Sequence, residues 1–232
     1  MSTLVHKIVV IDDDPALLTA LRIGLTSKGY EVIYAADGER GIQSVIESNP
    51  SAVILDLGLP DMDGLSICKA LRTFSAAPII VLSATSDEDK KIKALDIGAD
   101  DYITKPFSMG ELLARLRVAL RHVDIHTNRP ENGSPIINLG SHVRIDNIKR
   151  EVLVDDAPID LTAKEFDLLC TLASHIGKTF THRDLLKEVW GADYYVETNY
   201  LRVYINRIRK KLGPYGEDIV KTKPGVGYRI DL

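Results

Sequence analysis

The sequence predicts two domains in tandem: a doubly wound α/β domain on a five-stranded parallel sheet, then a smaller α+β domain. Three observations predict this. In the first half, short apolar runs alternate five times with longer amphipathic stretches, the pattern of a parallel sheet with helices on both faces. At 123–135 the segment VDIHTNRPENGSP breaks that rhythm with Pro130, Asn132, Gly133, Ser134 and Pro135, and reads as a flexible linker. The charge balance also changes across it. Before residue 136 there are 14 Lys+Arg against 19 Asp+Glu, and from 136 onward 15 against 14. The boundaries drawn are 1–122, 123–135 and 136–232.

The first strand is placed at 7–11, KIVVI, and three aspartates follow at once. Asp14 suits a helix cap and Pro15 the first helical position. Leu17, Leu18, Leu21 and Leu25 keep helical spacing, and Gly29 is a natural stop. A strand at 31–34, a helix at 39–47 and a strand at 52–55 come next. The run 52–55 is apolar throughout, too short for a helix and typical of a buried parallel strand. A helix at 65–74, a strand at 79–82, a helix at 88–97 ending at Gly98 and a strand at 101–103 complete the alternation. Ser108 with Glu111 reads as a capping box for a last helix ending near Arg121.

In the second half, strand-like pieces fall at 143–145, 151–154 and 159–161, with Asp155 and Asp156 as a turn. Thr162 and Glu165 form another capping box, and Phe166, Leu168, Leu169 and Leu172 make that helix amphipathic. Thr181 caps a helix running to Trp190. A further helix spans 198–212. Its Leu201, Ile205, Ile208 and Leu212 step by four, three and four and bury one face. Asn199, Arg202, Asn206, Arg209 and Lys210 fall on the other side, with Arg207 adding to the basic character. KTKPGVGYRI then reads as strand, turn and strand. Residues 199–223 hold seven basic and two acidic side chains.

The strand ends carry the chemistry. Asp12 and Asp13 follow the first strand, Asp56 ends the third, Ser83 the fourth, and Lys105 follows the fifth. In a doubly wound sheet these ends converge on one edge, where such sheets bind ligands. Three gathered carboxylates repel one another unless a cation sits among them. Their hard oxygens and small number suit Mg2+. With an ammonium and a hydroxyl added, the set can receive a phosphoryl group on a carboxylate. The basic helix has the width and side chains to enter a DNA major groove, with Lys221, Lys223 and Arg229 placed to grip the adjoining backbone or minor groove.

IDDD at 11–14, DLGLPDMDG at 56–64, VLSA at 81–84 and GADDYITKPF at 98–107 make the first half resemble a response-regulator receiver domain. That resemblance implies Asp56 as phosphoacceptor. It implies Asp12, Asp13, Asp56 and the Gly58 carbonyl as Mg2+ ligands, and Lys105, beside a cis Pro106, as the phosphoryl contact. Ser83 and Tyr102 would form the switch. It further implies a homodimer face holding Lys91, Asp96, Asp100, Asp101, Glu111 and Arg115 beside Ile92, Leu95 and Ala114. Lys91 would pair with Glu111, and Asp101 with Arg115, across subunits.

LTAKEFDLL at 161–169, LLKEVWG at 185–191, YLRVYINRIRKKL at 200–212 and PGVGYRI at 224–230 make the second half similar to the winged helix-turn-helix domain of OmpR/PhoB-class regulators. Regulators of the Kdp potassium-transport type are the most similar. The implied function is a two-component transcription regulator. Its partners would be a sensor histidine kinase, promoter DNA and RNA polymerase, the last through a loop at 192–196. A phosphorylation-independent DNA-binding regulator is the alternative. A haloacid-dehalogenase-like phosphatase is a second, since Asp12 and Asp14 have the D-x-D spacing. Its fifth motif position is Ala16, and it would leave the second half unexplained. The chain is not expected to turn over an external substrate. Cys68 and Cys170 have no metal spacing and read as reduced thiols. No apolar run is long enough for a membrane span and no secretory signal is visible, so a cytoplasmic protein without membrane contact is expected.

Overall fold

Strands β1 (Lys7–Ile11) and β3 (Ala52–Asp56) pair in parallel at the centre of a five-stranded sheet. With β2 (Glu31–Ala35), β4 (Ile79–Ser83) and β5 (Asp101–Thr104) the order is β2-β1-β3-β4-β5. The helices are α1 (Pro15–Thr26), α2 (Gly38–Ser48), α3 (Gly64–Leu71), α4 (Glu88–Ile97) and α5 (Met109–Asp124). This is a computed structural model, and it describes residues 5–124, 136–191 and 198–232. The expected linker from residue 125 onward and the expected polymerase loop at 192–196 lie outside the described residues. The chain divides into two compact units, Met1–Thr127 and Asn128–Leu232.

Ile8, Val10, Ala52, Ile54, Ile80 and Leu82 pack against Leu21 and Leu25 of α1 and Leu112, Leu116 and Leu120 of α5. Val9, Ile11, Val53, Leu55, Ile79 and Val81 alternate with them and are buried too. Successive strand residues point to opposite faces, so both faces of the sheet are covered, and each strand reads as an unbroken apolar run. Each Val, Leu or Ile among them contributes about 1.5–3 kcal/mol on burial.

Helix α3 is shorter than the expected 65–74. Arg72 ends it by donating to the carbonyls of Gly98, Ser75 and Ala77 at 2.8, 3.0 and 2.7 Å, and by pairing with Asp100. In the α5 cap, Ser108 Oγ accepts the Glu111 N–H at 3.1 Å, but the Glu111 carboxylate turns to Arg115. Only the serine half of the expected capping box forms there.

The second unit opens with β6 (Ile136–Leu139), β7 (Val143–Asp146), β8 (Glu151–Val154) and β9 (Ala157–Ile159), antiparallel in chain order. Asp155 and Asp156 take φ of 48° and 62° and make a two-residue hairpin. That brings Ala157 opposite Val154, so β9 starts two residues before the expected 159. Then come α6 (Ala163–Ala173), β10 (Phe180–Thr181), α7 (His182–Val189), α8 (Thr198–Lys211), α9 (Gly216–Ile219) and the hairpin β11 (Val220–Lys223) and β12 (Gly227–Ile230). Strands β6 and β10 are not evident from the sequence. Strand β12 lies between β10 and β11. Gly227 makes that possible, because a Cβ there would lie 1.9 Å from the Phe180 carbonyl oxygen.

Candidate phosphoacceptor site and nucleic-acid interface

The order β2-β1-β3 reverses direction at β1 and β3, and Asp12 and Asp56 stand at the carboxyl ends of those two strands. Asp12 is fully buried and Asp56 is 7% exposed, while Asp13 lies at the surface. One carboxylate oxygen from each lies within 4.8 Å of the others. Lys105 reaches in from beyond β5, its Nζ 2.7 Å from Asp12 Oδ2 and 3.1 Å from Asp56 Oδ1. The Lys105–Pro106 bond is cis. Burial raises the Asp12 carboxyl above its ordinary range, although Lys105 and the Asp14 N–H pull it the other way. Burial would lower Lys105, but its bonds and charge contacts with Asp12 and Asp56 outweigh that and raise it. A Cβ on Gly58 would sit 3.4 Å from Asp56 Oδ2, so the Gly58 backbone lies beside the same carboxylate. Hard oxygens converging on one point, with one ammonium against three acids, fit a small divalent cation.

Asp14 does not join this cluster. Its Oδ1 accepts the Ala16 and Leu17 N–H groups at 2.8 and 3.3 Å and caps α1. The D-x-D pair required by the phosphatase alternative is therefore split between a site and a cap.

Ser83 is buried at the end of β4, and its Oγ accepts the Thr85 N–H at 3.3 Å. The Tyr102 ring is buried, and its hydroxyl donates to the Thr85 carbonyl at 2.9 Å. Both expected switch residues thus fasten to Thr85, which no sequence signal singled out. Asp61 was also missed. Its carboxylate accepts the Gly38 N–H at 3.0 and 2.9 Å and the Glu39 N–H at 3.3 Å, from 22 or 23 residues away.

In the second unit, α8 buries Leu201, Ile205 and Ile208 as expected, and Tyr200 and Tyr204 as well, and Leu212, just past its end, is buried too. Arg202, Asn206 and Lys210 are exposed at i, i+4 and i+8, a single outward stripe. Arg207 is not on it. Arg207 is 9% exposed, lies over the Tyr204 ring, and its Nε is 2.7 Å from Glu165 Oε1. Arg209 is also withdrawn. It donates to the Val220 carbonyl at 3.1 and 2.7 Å and to Thr222 Oγ1 at 2.8 Å, holding α8 to β11. These two are corrections to the expected DNA-facing set, because carboxylate and carbonyl acceptors inside the domain take their donors. Lys221 pairs with Asp218 at 3.1 Å and Arg229 with Asp231 at 2.5 Å. Lys223 is half-buried, and the Asn199 side chain lies outside the described residues. Glu165, expected only as a cap, is fully buried. Its Oε2 accepts the Thr162 N–H and Lys211 Nζ, each at 2.7 Å, while Oε1 forms the ion pair with Arg207. Burial would raise its carboxyl, but Arg207 and Lys211 together hold it below the usual range.

Residues 8–117 match the family described as the response regulator receiver domain, and 156–230 that described as transcriptional regulatory protein, C terminal. The chain is 46% identical over 226 residues to "Transcriptional regulatory protein KdpE" of Mycobacterium tuberculosis, covering 97% of this chain and 98% of that protein. It is 41% identical over 228 residues to "KDP operon transcriptional regulatory protein KdpE" of Escherichia coli, covering 97% and 99%. The solved structure of response regulator DrrB, a Thermotoga maritima OmpR/PhoB homologue, is 30% identical with a TM-score of 0.52, covering 99% of this chain and 100% of that one. A solved structure of a RitR mutant gives a TM-score of 0.74 at 27% identity, covering 97% and 98%.

The chain is a two-component response regulator of the OmpR/PhoB type. As a response regulator it joins a receiver to a DNA-binding domain and acts in transcription regulation. Among the described residues, no helix is long and apolar enough to cross a membrane. Its α4–β5–α5 surface differs from the expected dimer face at two points. Leu95 is fully buried and Asp100 is 2% exposed, with Asp100 Oδ2 accepting the Ile79 N–H at 2.9 Å and pairing with Arg72. Both belong to the regulator's interior and not to a dimer face. Asp101 is buried too, and its pair with Arg115, at 3.0 Å, closes within one chain. Arg115 also holds Glu111 at 3.0 Å. Asp96 is exposed, and Lys91, Ile92, Glu111, Ala114 and Arg115 are half-buried.

Proposed function

We propose that Asp56 accepts the phosphoryl group of a sensor histidine kinase. The N–P bond of the kinase phosphohistidine breaks and an O–P bond forms to a carboxylate oxygen of Asp56, in line. Asp12, Asp13, Asp56 and the Gly58 carbonyl would hold Mg2+, which supplies charge neutralisation at the phosphoryl oxygens. Lys105 contacts the same oxygens, and the Ser83 hydroxyl leaves the Thr85 N–H to donate to them. Tyr102 is the other half of the switch, its ring packing inward behind the Ser83 hydroxyl. What carries this reading is the placement of one lysine between two strand-end carboxylates, with a third acid within metal-ligand reach.

Phosphorylation shifts a pre-existing equilibrium toward a homodimer. The face comprises Lys91, Ile92, Asp96, Asp101, Glu111, Ala114 and Arg115, with Lys91 of one copy facing Glu111 of the other and Asp101 facing Arg115. The dimer sets two winged helices on half-sites about 34–36 Å apart. Affinity rises through effective concentration, with no remade DNA surface. Arg202, Asn206 and Lys210 read the major groove, with Asn199, Lys221, Lys223 and Arg229 flanking the backbone. RNA polymerase meets the loop at 192–196. The controlled genes are those of potassium transport, in line with the names of the KdpE relatives.

The test is a small phosphodonor with Mg2+, followed by sedimentation and promoter binding. The parent chain is expected to dimerise and bind more tightly. Asp56→Asn is expected to do neither, and an Asp56→Asn chain that responded like the parent would overturn the reading.

A further inference from the structure

The loop at 57–63 links Asp56 to α3 and carries Gly58. Its two ends are fixed by close packing. The Leu57 N–H bonds the Leu82 carbonyl at 3.2 Å. Gly64 presses on the start of the loop, since a Cβ there would lie 2.5 Å from Leu57 Cα and 2.8 Å from the Asp56 carbonyl oxygen. Between these ends the loop reaches sideways to a different element through Asp61. The Asp61 carboxylate takes the first two N–H groups of α2, those of Gly38 and Glu39. These groups have no partner within their own helix. The next one, of Arg40, is taken by Asp37 at 2.8 Å. Two carboxylates therefore cap one helix, one from its own approach segment and one from the loop beside the phosphoacceptor.

An exposed aspartate in an acidic region would ordinarily add to the repulsion there. Asp61 does not, because its charge is engaged by the positive end of α2. The Gly38 N–H holds its carboxyl below the usual carboxylate range. The bonds to Gly38 and Glu39 tie the middle of the loop to a rigid helix. A loop held at its ends and its middle keeps the Gly58 backbone beside Asp56.

We infer that Asp61 is a positioning residue for the phosphoacceptor site: by tying the 57–63 loop to α2 it holds the Gly58 carbonyl and Asp56 in place for a divalent cation and the phosphoryl group. This rests on the reading of Asp56 given above. Groups that orient metal ligands from outside the coordination shell typically change metal affinity by tenfold or more when removed.

The experiment compares full-length Asp61→Ala, Asp61→Asn and Asp37→Ala with the parent. Mg2+ affinity is measured by calorimetry, phosphorylation rate with a small phosphodonor, and thermal unfolding by circular dichroism. Asp61→Ala is expected to weaken Mg2+ binding about tenfold and to slow phosphorylation in parallel. Asp61→Asn keeps one acceptor oxygen and is expected to fall between it and the parent. Asp37→Ala removes the other cap of the same helix, so it is expected to lower the melting temperature comparably while leaving Mg2+ affinity unchanged. If Asp37→Ala weakened Mg2+ binding as much as Asp61→Ala, the effect would be general loosening of α2 and the inference would fall. Unchanged Mg2+ affinity in Asp61→Ala would also overturn it. Failure of the underlying reading looks different: Asp56→Asn would still be phosphorylated, whatever Asp61 did.

Discussion

The two units treat buried negative charge in opposite ways. In the receiver, three carboxylates gather with a single ammonium, which contacts two of them, and burial leaves Asp12 with a raised carboxyl. In the DNA-binding unit, one fully buried carboxylate, Glu165, meets two cations and a backbone N–H, and its carboxyl is lowered. The first arrangement is short of positive charge and has a use for more of it. The second is complete and holds α6 to α8. A charged cluster with a deficit points to a ligand, and one already neutralised points to architecture.

Removing each acid in turn is the sharpest way to break the comparison. Glu165→Ala leaves Arg207 and Lys211 facing a buried gap, and breaking a buried pair costs about 3–5 kcal/mol. The expected result in a denaturant melt is early loss of the DNA-binding unit while the receiver transition stays in place. Acid acts on the same group. The folded carboxyl of Glu165 lies below its ordinary value near 4.5, so its contribution is fully present above that value. It is lost as pH falls through the lower, folded value. Denaturant midpoints taken across that range are expected to drop for the parent and to stay flatter for Glu165→Gln.

Asp12→Asn should act in the other direction. A carboxyl raised by folding binds its proton more tightly in the folded chain. When ionised at neutral pH it therefore costs stability, and the favourable contribution exists only at lower pH. Replacing it with a neutral isostere that still accepts the Asp14 N–H is expected to stabilise the receiver by about 1 kcal/mol. The same change should abolish phosphorylation, as measured by a phosphodonor assay beside the melt. A destabilised Asp12→Asn would mean that its pair with Lys105 outweighs the desolvation, and the contrast with Glu165 would fail.

The same distinction explains what was legible in the sequence. Asp12 and Asp56 were, because each ends an unbroken apolar run that only a buried parallel strand explains. Sheet geometry then puts strand ends together. The helical face of α8 was legible by its spacing. Arg207 and Arg209 were not: a basic residue type is the same whether its partner is a DNA phosphate, Glu165 or the Val220 carbonyl. Glu165 announced itself as a cap and concealed a second task. Leu95 looked like a surface residue because α4 is mostly charged, and the burial of its short apolar side depends on packing that spacing does not encode; Asp100, just past α4, is a carboxylate whose buried partners, Arg72 and the Ile79 N–H, lie more than twenty residues away. Asp61 caps a helix more than twenty residues upstream, so no local pattern marks it.

The smallest expected effect separates the cations of α8 from one another. If the outward stripe grips DNA phosphate, Lys210→Met removes one phosphate contact. The slope of log affinity against log salt then falls by about 0.9 on cognate and unrelated DNA alike. Between 50 and 200 mM salt that is a difference of only about 3-fold. Arg207→Met should leave the slope where it was, since its guanidinium is engaged with Glu165 and Tyr204. Its effect belongs in the melt, where Glu165 would retain Lys211 alone of its two cations. A salt titration of promoter binding with both variants, paired with their unfolding curves, therefore assigns each residue to DNA or to the domain interior. Equal slope changes in the two would mean that Arg207 leaves Glu165 when DNA arrives, and that the buried cluster is a store of contacts and not a fixed support.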